Sequence, residues 1–143
     1  MVRFFNKDIK FELKDKLLYK RWIKSVVQEH GNRVGDVNVI FCNDDYILEI
    51  NNRFLGHDYY TDIITFDYSE EDLINGELYI SIDTVMANAG EYNQNFPDEL
   101  NRVIIHGFLH LCGLDDHSED DIRLMREAEN SSLEKLEEIL LSK

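Results

Sequence analysis

The run His106-Gly107-Phe108-Leu109-His110-Leu111-Cys112-Gly113-Leu114-Asp115-Asp116-His117 constrains this chain more than any other stretch. Two histidines four apart, on a segment with helical spacing of its apolar residues, present both imidazoles on one face, one turn apart. A single ion is within reach of both. Gly113 then ends the helix and permits the chain to reverse. Asp115, Asp116 and His117, just past that turn, can swing back toward the same ion. Two imidazole nitrogens and one further N or O donor make the three-ligand set of a catalytic zinc, with a fourth position left for water or substrate. His117 offers an imidazole and Asp116 a carboxylate one residue nearer; only one of two neighbours points inward if the segment is extended. The expectation is a metal-dependent hydrolase holding one divalent transition metal per chain through His106, His110 and either Asp116 or His117. Zinc is the first choice, while nickel, manganese and iron accept the same donors.

A length of 143 residues, 43% of them hydrophobic, suits a single domain spanning 1–143 with its own core. No run of 18 apolar residues is present, which excludes a helical membrane span. The first residues lack the order of a signal peptide, so a cytoplasmic protein is expected. Two cysteines, Cys42 and Cys112, are too few for a disulfide framework. Cys112 lies six residues past His106, roughly 240° around a helix, and is expected to be a buried thiol rather than a ligand. The net charge of −14 argues against nucleic acid until its distribution is read. Residues 1–33 carry nine Lys and Arg against four acids, and the remainder six against 25. Such asymmetry permits a basic surface beside an acidic body.

Periodicity predicts an α/β (α+β) domain with about four strands and about five helices. Alternation through Ile9, Phe11 and Leu13 extends an N-terminal strand to residue 13. Helical spacing runs from Lys16 to His30, Val37, Val39 and Phe41 alternate as a second strand, and Asp44 is placed to cap a helix through Phe54. Asp62–Phe66 and Glu77–Ser81 read as short strands, separated by an acidic turn from Asp67 to Gly76. Asp83 opens a helix to about Asn93, and Pro97 in a first turn opens the histidine helix. Ser118 and Asp121 form an acidic capping box for a last helix with Ile122, Met125, Leu133, Leu136 and Leu140 inside. On the histidine helix, Glu99 and Val103 share the face of His106 and His110.

Zinc peptidases of the His-Glu-x-x-His type carry a general-base Glu directly after the first histidine. Gly107 stands there, and a glycine cannot accept a proton. A bound metal would then act chiefly as a Lewis acid, with Asp115 and Glu77 as candidates for a separate base.

At these residues the sequence resembles the YbeY family, bacterial metal-dependent endoribonucleases of ribosomal RNA maturation. Its signature, His-Gly-x-Leu-His-Leu-x-Gly-Tyr-Asp-His followed by Met and Glu, is matched from His106 to Leu114, with Met125 and Glu129 downstream. Thr61-Asp62-Ile63-Ile64-Thr65-Phe66 is similar to the family's Thr-Asp-Val-Leu-Ser-Phe strand, and Gly76-Glu77-Leu78-Tyr79-Ile80-Ser81 to its Gly-Asp-Ile-x-Ile-Ser segment. Aligned without a gap, the family's third histidine falls on Asp116, which favours Asp116 as third ligand and leaves His117 as the alternative. The family's arginine six residues before Thr61 is Leu55 here; Arg53, two residues earlier, the basic N-terminal third and His57 are candidates to supply its charge. The resemblance implies a single-strand-specific endoribonuclease in ribosomal RNA maturation and ribosome quality control, with ribosomal subunits or assembly proteins as further partners. Thr61, Asp62 and His57 are candidate substrate-binding residues, and Tyr59, Tyr60 and Phe66 candidates for stacking unpaired bases. Two other readings compete: an RNA-binding assembly factor with a structural metal, and a metal-dependent hydrolase of another substrate.

Overall fold

Apolar residues at alternate positions of four segments supply the faces of a sheet. The computed structural model, which describes residues 1–142, assembles them as β1 (Val2–Lys7), β2 (Arg33–Cys42), β3 (Ile63–Asp67) and β4 (Leu73–Ser81). The strands lie in the order β1-β2-β4-β3, with β3 antiparallel to β4 and the other pairs parallel. Five helices complete the domain: α1 (Lys16–Glu29), α2 (Asp44–Leu55), α3 (Ile82–Glu91), α4 (Phe96–Leu111) and α5 (Glu119–Leu141). This is the α+β architecture expected. Among the described residues no helix is long and apolar enough to cross a membrane.

The two-residue period of the strands sorts their side chains between two cores. Val37, Val39 and Phe41 of β2 and Ile74, Leu78 and Ile80 of β4 join the larger cluster with Trp22, Ile23, Val26 and Val27 of α1 and the apolar side of α4. Cys42, Ile64, Phe66 and Tyr79 join a smaller cluster with Ile47 and Ile50 of α2. Helix α5 is tied to α1 by the fully buried Trp22, whose Nε1 donates to the Ser132 carbonyl at 2.7 Å.

Several local expectations need correction. The first strand stops at Lys7 because Asp8 adopts a positive φ of 59°. Ile9, Phe11 and Leu13 still pack on the core from an irregular segment, with Phe11 edge-on to Phe41 and Phe96. Strand β4 begins at Leu73, inside the stretch read as a turn. Asn43, not Asp44, caps α2, accepting from the Tyr46 amide, while the Asp44 carboxylate accepts from the Ser81 and Thr84 hydroxyls. Ser81 rather than Asp83 caps α3. On α5, Met125 and Leu136 are buried, but Ile122 and Leu140 are exposed. Cys112 is only partly buried, against the core, and burial pushes its thiol pKa up to about 11.

Gly107 fixes how closely α4 approaches the sheet. A β-carbon there would stand 2.8 Å from both Ile63 Cδ1 and Leu78 Cδ1. The residue after the first histidine therefore faces the core, and a glutamate there would be driven between buried aliphatic side chains. Gly107→Glu combines overpacking with a buried carboxylate and is expected to lower stability by at least about 3 kcal/mol. Urea denaturation measures this; a variant as stable as the parent would mean that residue 107 points elsewhere.

Candidate metal centre

Local signals at both ends of α4 set the position of its histidines. Asn95 accepts from the Asp98 amide at 2.9 Å, and Pro97 occupies the first turn. At the other end Gly113, with φ of 101°, permits two reverse hydrogen bonds, Gly113 N to His110 O at 3.0 Å and Leu114 N to Leu109 O at 3.1 Å. The same reversal turns the Leu114 carbonyl back onto the His110 ring, where Nδ1 donates to it at 2.7 Å. The chain then runs through Asp115, Asp116 and His117 before Ser118 and Asp121 close a capping box on α5.

His106 makes the matching contact across the helix pair: its Nδ1 lies 2.8 Å from Glu129 Oε2 of α5. With each Nδ1 occupied by an acceptor, each Nε2 is left to face Asp116, at 3.5 Å from His106 and 3.7 Å from His110. Donors about 2.1 Å from a common ion in tetrahedral geometry stand roughly 3.4 Å apart, so these separations fit one transition metal. The ligand atoms of His106, His110 and Asp116 all lie within 4.8 Å of one another. The outer acceptors on both rings also match the usual support of metal-binding imidazoles. His117 is exposed and outside this group.

Glu129 is the hub behind the triad. Almost fully buried, it takes a 2.8 Å ion pair from Arg102 Nη1 on its second oxygen, with Arg126 Nη1 3.6 Å away. Burial alone would raise its pKa, but the hydrogen bonds from His106 and Arg102 outweigh that and hold it below the ordinary value. Burial likewise disfavours the His106 imidazolium; the Glu129 hydrogen bond and the charges of Glu129, Asp116 and Asp62 prevail and raise its pKa. Desolvation pushes the Asp62 carboxyl up.

Two cavities open on either side of the triad, and His106, Asp116, Asp62 and Ile63 line both. The second, of about 290 Å³, gathers Thr61, His57, Tyr59 and Leu55 with His110. There His57 stacks on Tyr59 with ring centres 5.0 Å apart. Thr61, Asp62 and His57 are thus brought to the triad. Arg53 is not; it lies over the Phe54 ring and lines neither cavity. Glu77, which accepts from the Tyr68 hydroxyl, and Asp115 also line neither. Tyr60 is exposed, and Phe66 packs edge-on to Phe54 and Tyr79. None of the basic residues of α1 reaches these cavities. Their cations come instead from Arg102 and Arg126, in the first cavity, of about 370 Å³. Arg102 and Glu99 stand four and seven residues before His106, a helical spacing that marks them as neighbours; Arg126 and Glu129 carry no such local signal.

The family model described as Endoribonuclease YbeY matches residues 3–137, nearly the whole chain and every residue of this site. The chain belongs to the endoribonuclease YbeY family. Among YbeY proteins it is 50% identical to the endoribonuclease YbeY of Azobacteroides pseudotrichonymphae, over 94% of this chain and 97% of that one. It is 55% identical to that of Phocaeicola vulgatus, over 78% and 81% respectively. The fold is similar to the solution structure of TM1509 from Thermotoga maritima, with a TM-score of 0.70 and 34% identity over 99% of this chain and 93% of that one. The YbeY resemblance seen in the three motifs therefore extends to the full domain.

The His106–Glu129 contact carries a pH signature in protein treated with a chelator. A carboxyl held below its ordinary 4.5 stabilises the fold above that pH and loses the contribution as pH falls through its folded pKa. An imidazole held above its ordinary 6.5 stabilises below that pH and loses the contribution as pH rises through its folded pKa. Both contributions coexist between those two values. Glu129→Gln is expected to destabilise the chelated protein most near about pH 5.5, by about 2–3 kcal/mol, and less once pH has risen through the folded His106 pKa, where the arginine pairs and a neutral hydrogen bond are what is lost. Urea titrations below and above that pKa check this, and an equal loss at both would contradict the pairing.

Proposed function

We propose that this chain is a metal-dependent, single-strand-specific endoribonuclease of ribosomal RNA maturation, working in the cytoplasm on ribosomal subunits or their assembly intermediates. One observation carries the metal part of this reading: both imidazole Nε2 atoms converge on a single Asp116 carboxylate while their Nδ1 atoms are engaged elsewhere. The name endoribonuclease, borne by relatives about half identical over most of the chain, supports RNA as substrate. His106, His110 and Asp116 are the proposed ligands, and zinc the proposed metal because two imidazoles and a carboxylate suit it.

Such an ion supplies Lewis acidity toward a phosphoryl oxygen and lowers the pKa of water. The remaining roles belong to the chain. Arg102 and Arg126, on the cavity wall beside His106, balance the charge of the scissile phosphate and its neighbour. They take over what the family's arginine at the Leu55 position would supply. Asp62, shared by both cavities, accepts the proton of the attacking hydroxyl, from water or the adjacent ribose, as the new P–O bond forms and the chain's P–O bond breaks, and the departing ribose oxygen takes a proton from solvent. Gly107, packed against Ile63 and Leu78, keeps the peptidase type of base out of the site.

Metal content and cleavage of unpaired RNA should be measured together on chelated and reloaded protein. One equivalent of metal and cleavage are expected in the parent and in His117→Ala, and loss of both in His106→Ala and Asp116→Ala. Cleavage that survives the loss of metal would contradict the mechanism, and metal lost in His117→Ala but retained in Asp116→Ala would reassign the third ligand.

A further inference from the structure

The first cavity contains a carboxylate that neither the triad nor the Glu129 hub employs. Glu99 is 6% exposed and lines the cavity from α4, two turns before His106. Among the described residues its carboxylate makes no hydrogen bond and no ion pair within 4 Å, and it stands outside the metal-donor group. Burying an unpaired carboxylate is costly unless hydrogen-bond donors meet it. Among the described residues the one sealed, unpaired side-chain atom is Asn38 Oδ1, so the Glu99 oxygens open to the cavity and can accept from what enters it.

Its other walls say what that is. Tyr92 offers an exposed ring from the end of α3, and Asn88, one turn earlier, an amide. Ile63, Val103 and Met125 make an apolar surface, and the cavity of about 370 Å³ is of small-ligand size. An aromatic ring, an apolar floor and one or two fixed polar groups are the features that hold a nucleobase. A phosphate is a poor occupant of the end of the cavity lined by two carboxylates, Glu99 and Asp62. The two arginines pair with Glu129 and also act on Glu99 through space, and they are the groups a backbone phosphate beside the base would meet.

Resting on the nuclease reading above, we propose that this cavity is a nucleobase subsite flanking the scissile phosphate, and that Glu99 selects guanine. Guanine's Watson–Crick edge presents N1–H and N2–H side by side, matching the two oxygens of a carboxylate. Adenine and cytosine bring a single exocyclic amino group, and uracil one ring N–H. The edge that Glu99 reads is the edge that base pairing consumes, so only an unpaired guanosine can enter. Single-strand preference then follows from one side chain. Glu99 is the specificity residue, and Tyr92 and Asn88 position the base.

The test separates this subsite from the cleavage chemistry. Binding of guanosine 5′-monophosphate and inosine 5′-monophosphate, which lacks the 2-amino group, is measured by NMR titration of the parent and of Glu99→Gln. Circular dichroism confirms that the isosteric variant is folded. A good bidentate pair discriminates by one to two orders of magnitude, so the parent is expected to bind the guanine nucleotide about ten-fold or more tightly, and Glu99→Gln to bind both alike. No discrimination by the parent, no binding of either nucleotide, or discrimination that survives in Glu99→Gln would each overturn the proposal. Metal-loaded protein is then given unpaired oligoribonucleotides carrying one guanosine or one inosine, and the cut sites are mapped. Cleavage beside guanosine that loses its preference in Glu99→Gln supports both readings. Guanine-selective binding without any cleavage would leave the subsite standing and overturn the nuclease assignment.

Discussion

The arrangement of the site depends on how closely α4 lies on the sheet. Gly107 lets Ile63 and Leu78 come up against the helix backbone, closer than any side chain at that position would allow. The face carrying Ile104, Ile105, Phe108 and Leu109 is thereby fully buried. The opposite edge, with Glu99, Arg102, His106 and His110, is left to form the wall of a cleft. A helix with one face immersed in a close-packed core cannot rotate without opening cavities, so the histidines inherit the rigidity of the hydrophobic layer beneath them. Helix α5 adds the second constraint through Glu129, which holds the His106 ring by one oxygen and Arg102 by the other.

Charge at the site runs against the charge of the molecule. The chain carries −14 overall, yet the cleft keeps two arginines beside the triad. Their pairing with Glu129 is uneven: Arg102 is tightly engaged and mostly buried, whereas Arg126 stands farther off and largely exposed. Arg126 is thus the cation freer to meet a phosphate at little cost in native pairing. An acidic protein that grips RNA through a few aimed groups, rather than a broad basic surface, should show a shallow dependence of binding on salt. The lysines of α1 contribute nothing to the cleft, so the basic N-terminal third is a solvated face with respect to this chemistry.

Much of the site was legible because its signals are local. The i, i+4 histidines, the reversal at Gly113 and the Ser118–Asp121 capping box each span no more than a few residues, and the backbone realises all three. The choice between Asp116 and His117 turned on which of two neighbours faces inward, and only the path into α5 brings the Asp116 carboxylate beside the two imidazoles. Arg126 escaped notice, and Glu129 was marked only by the family signature, because only packing of α5 on α4 brings them to His106. Local periodicity also misled. Ile9, Phe11 and Leu13 alternate like a strand, yet an irregular segment satisfies the same pattern by dropping each side chain onto the core. Gly76 suggested a turn, but it lies within β4, where a β-carbon would collide with the Phe66 carbonyl and the Leu111 side chain. Glycine there serves close approach, not reversal.

The account rests on two imidazoles and one carboxylate meeting at one ion. X-ray absorption spectroscopy of the zinc-loaded protein tests this most directly, since multiple scattering from imidazole rings counts them independently of activity. Two histidine nitrogens with the remaining shell made of oxygen, at about 2.0–2.2 Å, is the result this structure predicts. A shell with three imidazoles would bring His117 to the metal and displace Asp116 from the proposed ligand set, and one with no imidazole would contradict the metal centre altogether.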